Sequence, residues 1–370
     1  MAAAELKFPD PPPDQPQWLA LAQAVFNRQA ARWDTQHCGG GLRWQFNPLN
    51  NGWTNKNTIS NGCFFQLAAR LARYTKNDTY AEWAEKAYDW IWTSQLINQD
   101  TWEVYDSYNF NEQTRTCPAG EIGLIQWTYN IGTMIMGSAF MWNYTNGEQK
   151  WKDRLNGYLP NVQRVFFLPE YGGNIMTEYA CEGNGNCNKD QRSFKAYLSR
   201  WLALTMQMAP FTAPTIMPWI QGSGQAAARQ CVAGPDDTVG GPVACGRKWY
   251  APQDDGERDI GNQMTAMSIV QANLINYVSS PATVDTGTSK GDASAGSGKE
   301  EEPTAAQILA TRKMTIGDKA GAWIVTAVAL AATLAFILFL LSDDIVDARD
   351  KLRAQGLISK SSSRRSWHGA

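Results

Sequence analysis

Trp18-Leu-Ala-Leu-Ala-Gln-Ala-Val-Phe-Asn-Arg-Gln-Ala-Ala-Arg-Trp33 repeats its apolar side chains at helical spacing, and the same period recurs almost throughout residues 14–278. Further helices are expected at 60–74, 80–95, 126–144, 149–158, 190–208, 215–230 and 262–278. No run of alternating apolar and polar residues persists as a strand should. The expected fold class is all-α. Helices of this length, joined by alternating short turns and long Gly/Asn/Pro-rich loops, suggest helical pairs arranged in a ring, with functional loops gathered at one end.

The 370 residues are 44% hydrophobic and 18% charged, enough for a large core. Lys and Arg number 33 against 35 Asp and Glu, so the chain lacks the basic footprint that nucleic acid requires and no nucleic-acid partner is expected. Sixteen Trp, 13 Tyr and 13 Phe exceed what the core needs. Most should pack inside; the rest can stack on the apolar C–H faces of sugar rings.

Seven cysteines lie between Cys38 and Cys245. Cys181 with Cys187, and Cys231 with Cys245, enclose short loops that suggest disulfides in an oxidising compartment, although spacing alone leaves the connectivity open. The odd seventh cysteine is left without an assigned partner. With no Cys-x-x-Cys, and with His37 and His368 the only histidines, a zinc site is disfavoured; no metal or cofactor is expected. Sequons at Asn77 and Asn143 agree with a secretory lumen, though such triplets also arise by chance.

Composition changes after residue 278 into a Ser/Gly/Thr-rich stretch, read as a flexible linker over 279–319. Residues 320–341 carry no charge and are long enough to cross a bilayer as a helix, leaving 342–370 as a polar cytosolic tail. A removable GPI signal would end with its hydrophobic segment, whereas polar residues follow Leu341 here, which favours the membrane-spanning helix. Cysteines, sequons and linker place residues 1–278 on the lumenal or extracellular side, at the plasma membrane or the cell-wall face. At the other end, Met1-Ala-Ala-Ala-Glu-Leu-Lys7 has no apolar secretion core and reads as the last turns of a helix stopped at Pro9, so Met1 is expected to be an internal methionine.

Three loop-to-helix junctions carry the unusual residues. Cys38-Gly-Gly-Gly-Leu-Arg-Trp44-Gln is followed by Asn51-Gly-Trp53-Thr-Asn-Lys56-Asn57-Thr58-Ile-Ser60-Asn61-Gly62. Asn57, Ser60 and Asn61 include ordinary N-cap candidates, but so many amides beside Trp44 and Trp53 also match sugar hydroxyls and stacking plates. Trp127-Thr-Tyr129-Asn130-Ile-Gly132 opens the next junction, where core packing of Trp127 is the plain alternative. In Asp190-Gln-Arg-Ser-Phe194-Lys195-Ala-Tyr197-Leu-Ser-Arg200-Trp201, Asp190 suits a helix cap, and Lys195 beside an aromatic stripe is more often a solvated neighbour than a functional group.

These motifs, together with Cys181-Glu-Gly-Asn-Gly-Asn-Cys187-Asn, resemble the fungal cell-wall members of glycoside hydrolase family 76, the α-1,6-mannanase family, over about residues 2–278. The resemblance implies an (α/α)6 barrel, incomplete at its N-terminus here, that acts on α-1,6-mannan or a GPI-glycan by hydrolysis or transfer. It also implies that Asn57, Asn61, Trp127, Tyr129, Asn130, Asp190, Lys195 and Arg200 line or support the sugar cleft. The family's nucleophile and general acid/base are two consecutive aspartates, expected on a helix immediately preceding Met1. No catalytic residue is therefore assigned within the chain. Asp-Asp recurs at 236–237, 254–255 and 343–344, in Gly/Pro-rich loops and after the apolar segment, and none is promoted to that role. Asp106 and Glu178 remain as other carboxylates to watch. The competing reading is a non-catalytic mannan-binding or wall-anchoring membrane protein. No oligomeric state is implied.

Overall fold

The computed structural model describes residues 8, 11–12, 15–117, 119–233, 243–298 and 315–356, with main chain only at 119, 340 and 342–346. It divides into two compact units, up to Glu301 and from Glu302.

The first unit is built from helices in sequence order: α1 (Trp18–Ala31), α2 (Thr58–Thr75), α3 (Asp78–Thr93), α4 (Thr128–Tyr144), α5 (Gln149–Phe166), the single turn α6 (Tyr179–Glu182), α7 (Phe194–Met208), α8 (Ala213–Arg229) and α9 (Ile260–Ala272). Asn57, Asn77 and Asp259 cap α2, α3 and α9 through side-chain oxygens that accept backbone N–H groups. Every expected helix occurs. The helix expected over 262–278 ends at Ala272, followed by a 3-10 turn at Ile275–Tyr277. Two other bounds differ for a physical reason. The helix expected to stop at 158, before Pro160, continues to Phe166 because Leu159, Val162 and Phe166 are buried; their burial offsets the about 3 kcal/mol that an internal proline costs. The helix expected from 190 begins at Phe194, since Gln191–Ser193 form a 3-10 turn and Asp190 makes no capping bond.

Helix α2 packs on α4, α4 on α7 and α7 on α9, while α3, α5 and α8 pair with this inner series. From Thr128 to Met141, α4 is buried at every position except Tyr129, as an inner helix must be. Glycines set its spacing from α2. A Cβ on Gly137 would lie 2.2 Å from the Phe65 ring, and one on Gly62 would lie 2.0 Å from Thr133 Oγ1. Most tryptophans are spent on packing, with Trp151, Trp219 and Trp249 among the largest fully buried side chains.

Two small antiparallel sheets sit in the loops, where only helix and loop are expected. One joins β1 (Asn55–Asn57), β2 (Ser107–Asn109) and β3 (Ile122–Gly123); the other joins β4 (Cys231–Ala233) to β5 (Val243–Cys245). Strands of two or three residues are too short for a period of two to emerge from the sequence. Disulfides join Cys181 to Cys187 and Cys231 to Cys245, as expected, and also Cys38 to Cys117. Cys63 is the free thiol. Of the two sequon asparagines, Asn77 is exposed. Asn143 accepts from Arg73 Nε at 2.7 Å and turns its amide nitrogen toward the Met208 carbonyl, a geometry opposed to glycosylation there.

Residues 279–298 are not the free linker that their composition suggests. Val284 N–H donates to the Tyr74 carbonyl, Leu19 N–H to Ser289 Oγ, Asp292 N–H to Gln23 Oε1, and Asn27 Nδ2 to the carbonyls of Ala293 and Ala295. Small residues let the strap lie close. A Cβ on Gly296 would meet the Ala24 backbone at 2.8 Å. The boundary thus moves from 278 to Glu301, and 299–314 lie outside the described residues.

The second unit contains α10 (Ile316–Ala354), opened by a capping box between Thr315 and Asp318. Its segment Ile316–Phe339 has mean hydropathy 2.4 and is long and apolar enough to cross a membrane. The helix runs on to Ala354, into residues expected as a polar tail; 357–370 lie outside the described residues.

Candidate functional site

The first sheet presents one face to a cleft and the other to the core. Asn55 pairs with Asn109 and Asn57 with Ser107, and these four line a pocket of about 260 Å³. Lys56 and Tyr108, paired between them, point inward and are buried. The buried Lys56 ammonium donates to the carbonyls of His37 (2.7 Å), Gly40 (2.5 Å) and Asp34 (3.2 Å) and lies 3.4 Å from the Asp34 carboxylate. It thereby pins the glycine-rich loop that carries Trp44. Burial lowers its pKa to about 8 against the pull of Asp34.

Trp44 is 50% exposed and lines the pocket, its ring lying against Gly52, where a Cβ would come within 2.2 Å. Gly52 has φ +89°, so both conformation and space require glycine. On the far wall Tyr129 is backed by Phe194, stacked at 3.9 Å. Asp106 lines the same pocket. Its backbone is fixed by Thr58 N–H donating to its carbonyl and by its own N–H donating to Gly123. Asn130 Nδ2 donates to Oδ1 at 2.9 Å and Ser107 Oγ to Oδ2 at 3.3 Å. Burial raises the Asp106 pKa, while these two hydrogen bonds favour the ionised form.

The residues singled out in the sequence divide accordingly. Trp44, Asn57 and Tyr129 line the cleft, and Asn57 also caps α2. Asn130, fully buried, acts through Asp106. Asn61, also fully buried, spends its amide on Leu42 N–H, the Leu42 carbonyl and the Asn57 carbonyl, so it braces the loop and does not reach the cleft. Trp53 is covered by the Arg43 guanidinium at 4.0 Å and is not among the lining residues. Trp127 packs edge-on against Phe194 in the interior. Asp190 is exposed and makes no cap. Arg200 ties α7 to α9 through Ser268 Oγ. Lys195 is not a solvated neighbour: it is buried, 2.6 Å from Glu182, donates to the Arg247 carbonyl and lies over the Trp249 ring. Asn55, Ser107 and Asn109 escaped the sequence reading, because three polar residues in a loop carry no signal until the sheet aligns them.

Glu178 holds the start of α4, accepting from Thr128 N–H at 3.1 Å and from the Thr128 hydroxyl. Full burial pushes its pKa up to about 8. The pair at 254–255 is committed to its loop. Asp255 accepts the N–H groups of Arg247, Lys248 and Glu257, and Asp254 pairs with Arg258 at 2.5 Å. Residues 236–237 lie outside the described residues, as do the side chains of 343–344.

Comparison with known proteins bears on this arrangement. The model of glycosyl hydrolase family 76 matches residues 1–285. The mannan endo-1,6-alpha-mannosidase DCW1 of Candida glabrata is 43% identical over 342 residues, covering 92% of this chain and 72% of that protein. DFG5 of Saccharomyces cerevisiae, of the same description, is 43% identical over 333 residues, 90% of this chain and 69% of that one. Among solved structures, Dfg5 from Chaetomium thermophilum, in complex with glucosamine, matches with TM-score 0.72 and 45% identity over 83% of this chain and 72% of that one. An α-1,6-mannanase of Salegentibacter, inactivated by replacing two consecutive aspartates with asparagine and bound to α-1,6-mannotriose, matches with TM-score 0.52 at 18% identity, covering 68% and 67%; it shares the fold. The helical pairs, the match along residues 1–285 and these relatives agree: the chain belongs to glycosyl hydrolase family 76, the glycoside hydrolases that include the fungal mannan endo-1,6-α-mannosidases.

Proposed function

We propose that the cleft between Trp44 and Tyr129 seats a mannose unit of an α-1,6-linked mannan or GPI-glycan, for hydrolysis or transfer of that linkage. The observation that carries this reading is that the Asp106 carboxyl, oriented by Asn130 and Ser107, belongs to a residue lining one pocket with Trp44 and Tyr129. The aromatic rings take the apolar faces of a pyranose, and the carboxylate, with Asn55, Asn57 and Asn109, takes its hydroxyls. A retaining reaction needs two carboxyls about 5–5.5 Å apart. We assign that chemistry to a consecutive aspartate pair, like the one whose replacement inactivates the bacterial mannanase, and to none of the pairs at 236–237, 254–255 or 343–344. Helix α10 anchors the protein in a membrane, with the disulfide-bonded unit on the oxidising, cell-wall side.

Calorimetric titration of the 370-residue chain with α-1,6-mannotriose tests the cleft. Trp44→Ala and Tyr129→Ala should each weaken binding by about tenfold to a hundredfold, the loss of one stacking plate; unchanged affinity in both refutes the site. Release of reducing ends from α-1,6-mannan that Asp106→Asn abolishes would make Asp106 one of the catalytic carboxylates.

A further inference from the structure

Arg43, the residue before Trp44, sits in a mostly buried cluster of charge that the cleft does not use. The side chains of Asp34, Arg43 and Lys56 are 10%, 14% and 0% exposed, and the more exposed Glu112 completes the set. Arg43 is its centre: Nε donates to Asp34 Oδ2 at 2.9 Å, a terminal nitrogen donates to Glu112 Oε1 at 3.2 Å, and the guanidinium lies over the rings of Trp53 and Phe110. Two cations face two carboxylates, so these four side chains balance.

His37 is the fifth member, its ring packed on Phe110 at 4.6 Å. Nδ1 lies 3.0 Å from an Arg43 terminal nitrogen and 3.1 and 3.2 Å from the two Asp34 oxygens, and Nε2 lies 3.6 Å from Glu112 Oε2. One nitrogen cannot answer both neighbours, because the guanidinium needs its lone pair and the carboxylate needs a proton. The neutral ring settles this for Arg43. Nδ1 accepts from the guanidinium, the Nε2 proton turns to Glu112, and Asp34 is still answered by Arg43 Nε, Lys56 and the Gln36 N–H. A proton on Nδ1 reverses it. The ring then donates to Asp34, sets N–H against N–H across the 3.0 Å gap to Arg43, and leaves the cluster with one positive charge too many.

Imidazole is the side chain whose ordinary titration range lies between pH 5 and 8. Asp34 and Lys56 keep their charges from neutral to mildly acidic pH. Burial works to raise the Asp34 pKa, but Lys56, the bond from His37 and Arg43 hold it below its ordinary value; burial leaves Lys56 titrating near 8.

We propose that His37 is a positioning residue for the sugar cleft and works as a proton-operated catch: neutral, it holds Arg43 and with it Trp44; protonated, it repels the guanidinium and loosens the Trp44 loop. The proposal rests on the reading of Trp44 as a sugar platform. Two links carry the displacement to the cleft. Arg43 pairs with Lys56 as an isolated antiparallel bridge, and Trp44 N–H donates to the Asn55 carbonyl at 2.8 Å. Sugar affinity is therefore full above the titration of His37 and falls as pH drops through it.

The test uses the full chain, whose two histidines are separated in a 15N-histidine spectrum once His368→Gln assigns them. Labelling with 5-fluorotryptophan, with Trp44 assigned by Trp44→Phe, reports on the loop without any sugar. From pH 7.5 to 5.5 the Trp44 resonance should move with the same midpoint as His37. That step should vanish in His37→Asn, whose amide oxygen takes the place of Nδ1 and accepts from Arg43 at every pH. The fall in mannotriose affinity over the same range should be about fivefold smaller in His37→Asn than in the parent. An imidazole that keeps one protonation state over this range overturns the proposal whether or not a variant folds. So does a Trp44 step that persists in a folded His37→Asn protein, the result expected of a merely structural histidine, or a step that Asp106→Asn removes, which belongs to the cleft carboxylate. If Trp44 follows His37 while mannotriose affinity stays level, the catch on the loop is upheld and the reading of Trp44 as a sugar platform is the one that fails.

Discussion

Asp106 shows how a side chain acquires a role from its neighbours. In the proposed role its carboxylate accepts sugar hydroxyls most strongly when ionised, and burial opposes that by raising its pKa. Asn130 counters burial by donating to Oδ1. The sign of the pH dependence follows. Affinity is full above the raised pKa and falls as pH drops through it. Asn130→Ala removes a bond that favours the charge, so the fall should move to higher pH, and near neutral pH mannotriose binding should weaken by about tenfold. Titrations across pH 4–8 check this; superimposable profiles for the two proteins would sink the assignment of Asn130 as a positioning residue. Asn130 and Asn61 illustrate what sequence leaves open. Both are buried amides at the start of an inner helix, yet one turns to the cleft carboxylate and the other to a loop backbone. Residue type named both; only the path of the Leu42 and Asp106 segments separates them.

Among the elements, the inner helices were the legible part, because burial on one face or on all faces writes a period of 3.6 into long segments. Strands β1 to β3 were not, and the reason is specific: the inward residue of β1 is Lys56, a charge satisfied by loop carbonyls where a hydrophobic residue would have marked the pattern. The Cys38–Cys117 bridge was equally hidden, since 79 residues separate its ends, while the two short-loop pairs could be picked out by proximity. That difference has an energetic counterpart. Chain-entropy arguments give about 4–5 kcal/mol for the long loop and about 2–3 kcal/mol for the short ones. Replacing Cys38 and Cys117 with serine should therefore lower the thermal midpoint more than replacing Cys231 and Cys245, and should also weaken mannotriose binding, because Cys38 begins the loop that carries Trp44. Equal losses of stability in the two double variants, by calorimetry, would show that the bridge near the cleft does not brace the fold.

For the molecule as a whole, the apolar helix and the disulfide-bonded unit impose opposite solubilities. The full chain should enter the detergent phase in a cloud-point partition, and a version ending at residue 301 should stay in the aqueous phase with its mannotriose affinity unchanged. Recovery of the full chain from the aqueous phase would remove α10 from the list of membrane-spanning helices. The strap over 279–298 gives this arrangement a mechanical meaning. A pull on α10 travels along the backbone and enters the helical unit at residue 298, where it meets the bonds from Asn27 and Gln23 before anything else. Those bonds break one after another, and the strap, on the order of 70 Å when extended, is released before tension reaches residue 278. The strap is in effect a fuse: force entering at residue 298 is taken up by its bonds before it reaches the loops around Trp44 and Tyr129.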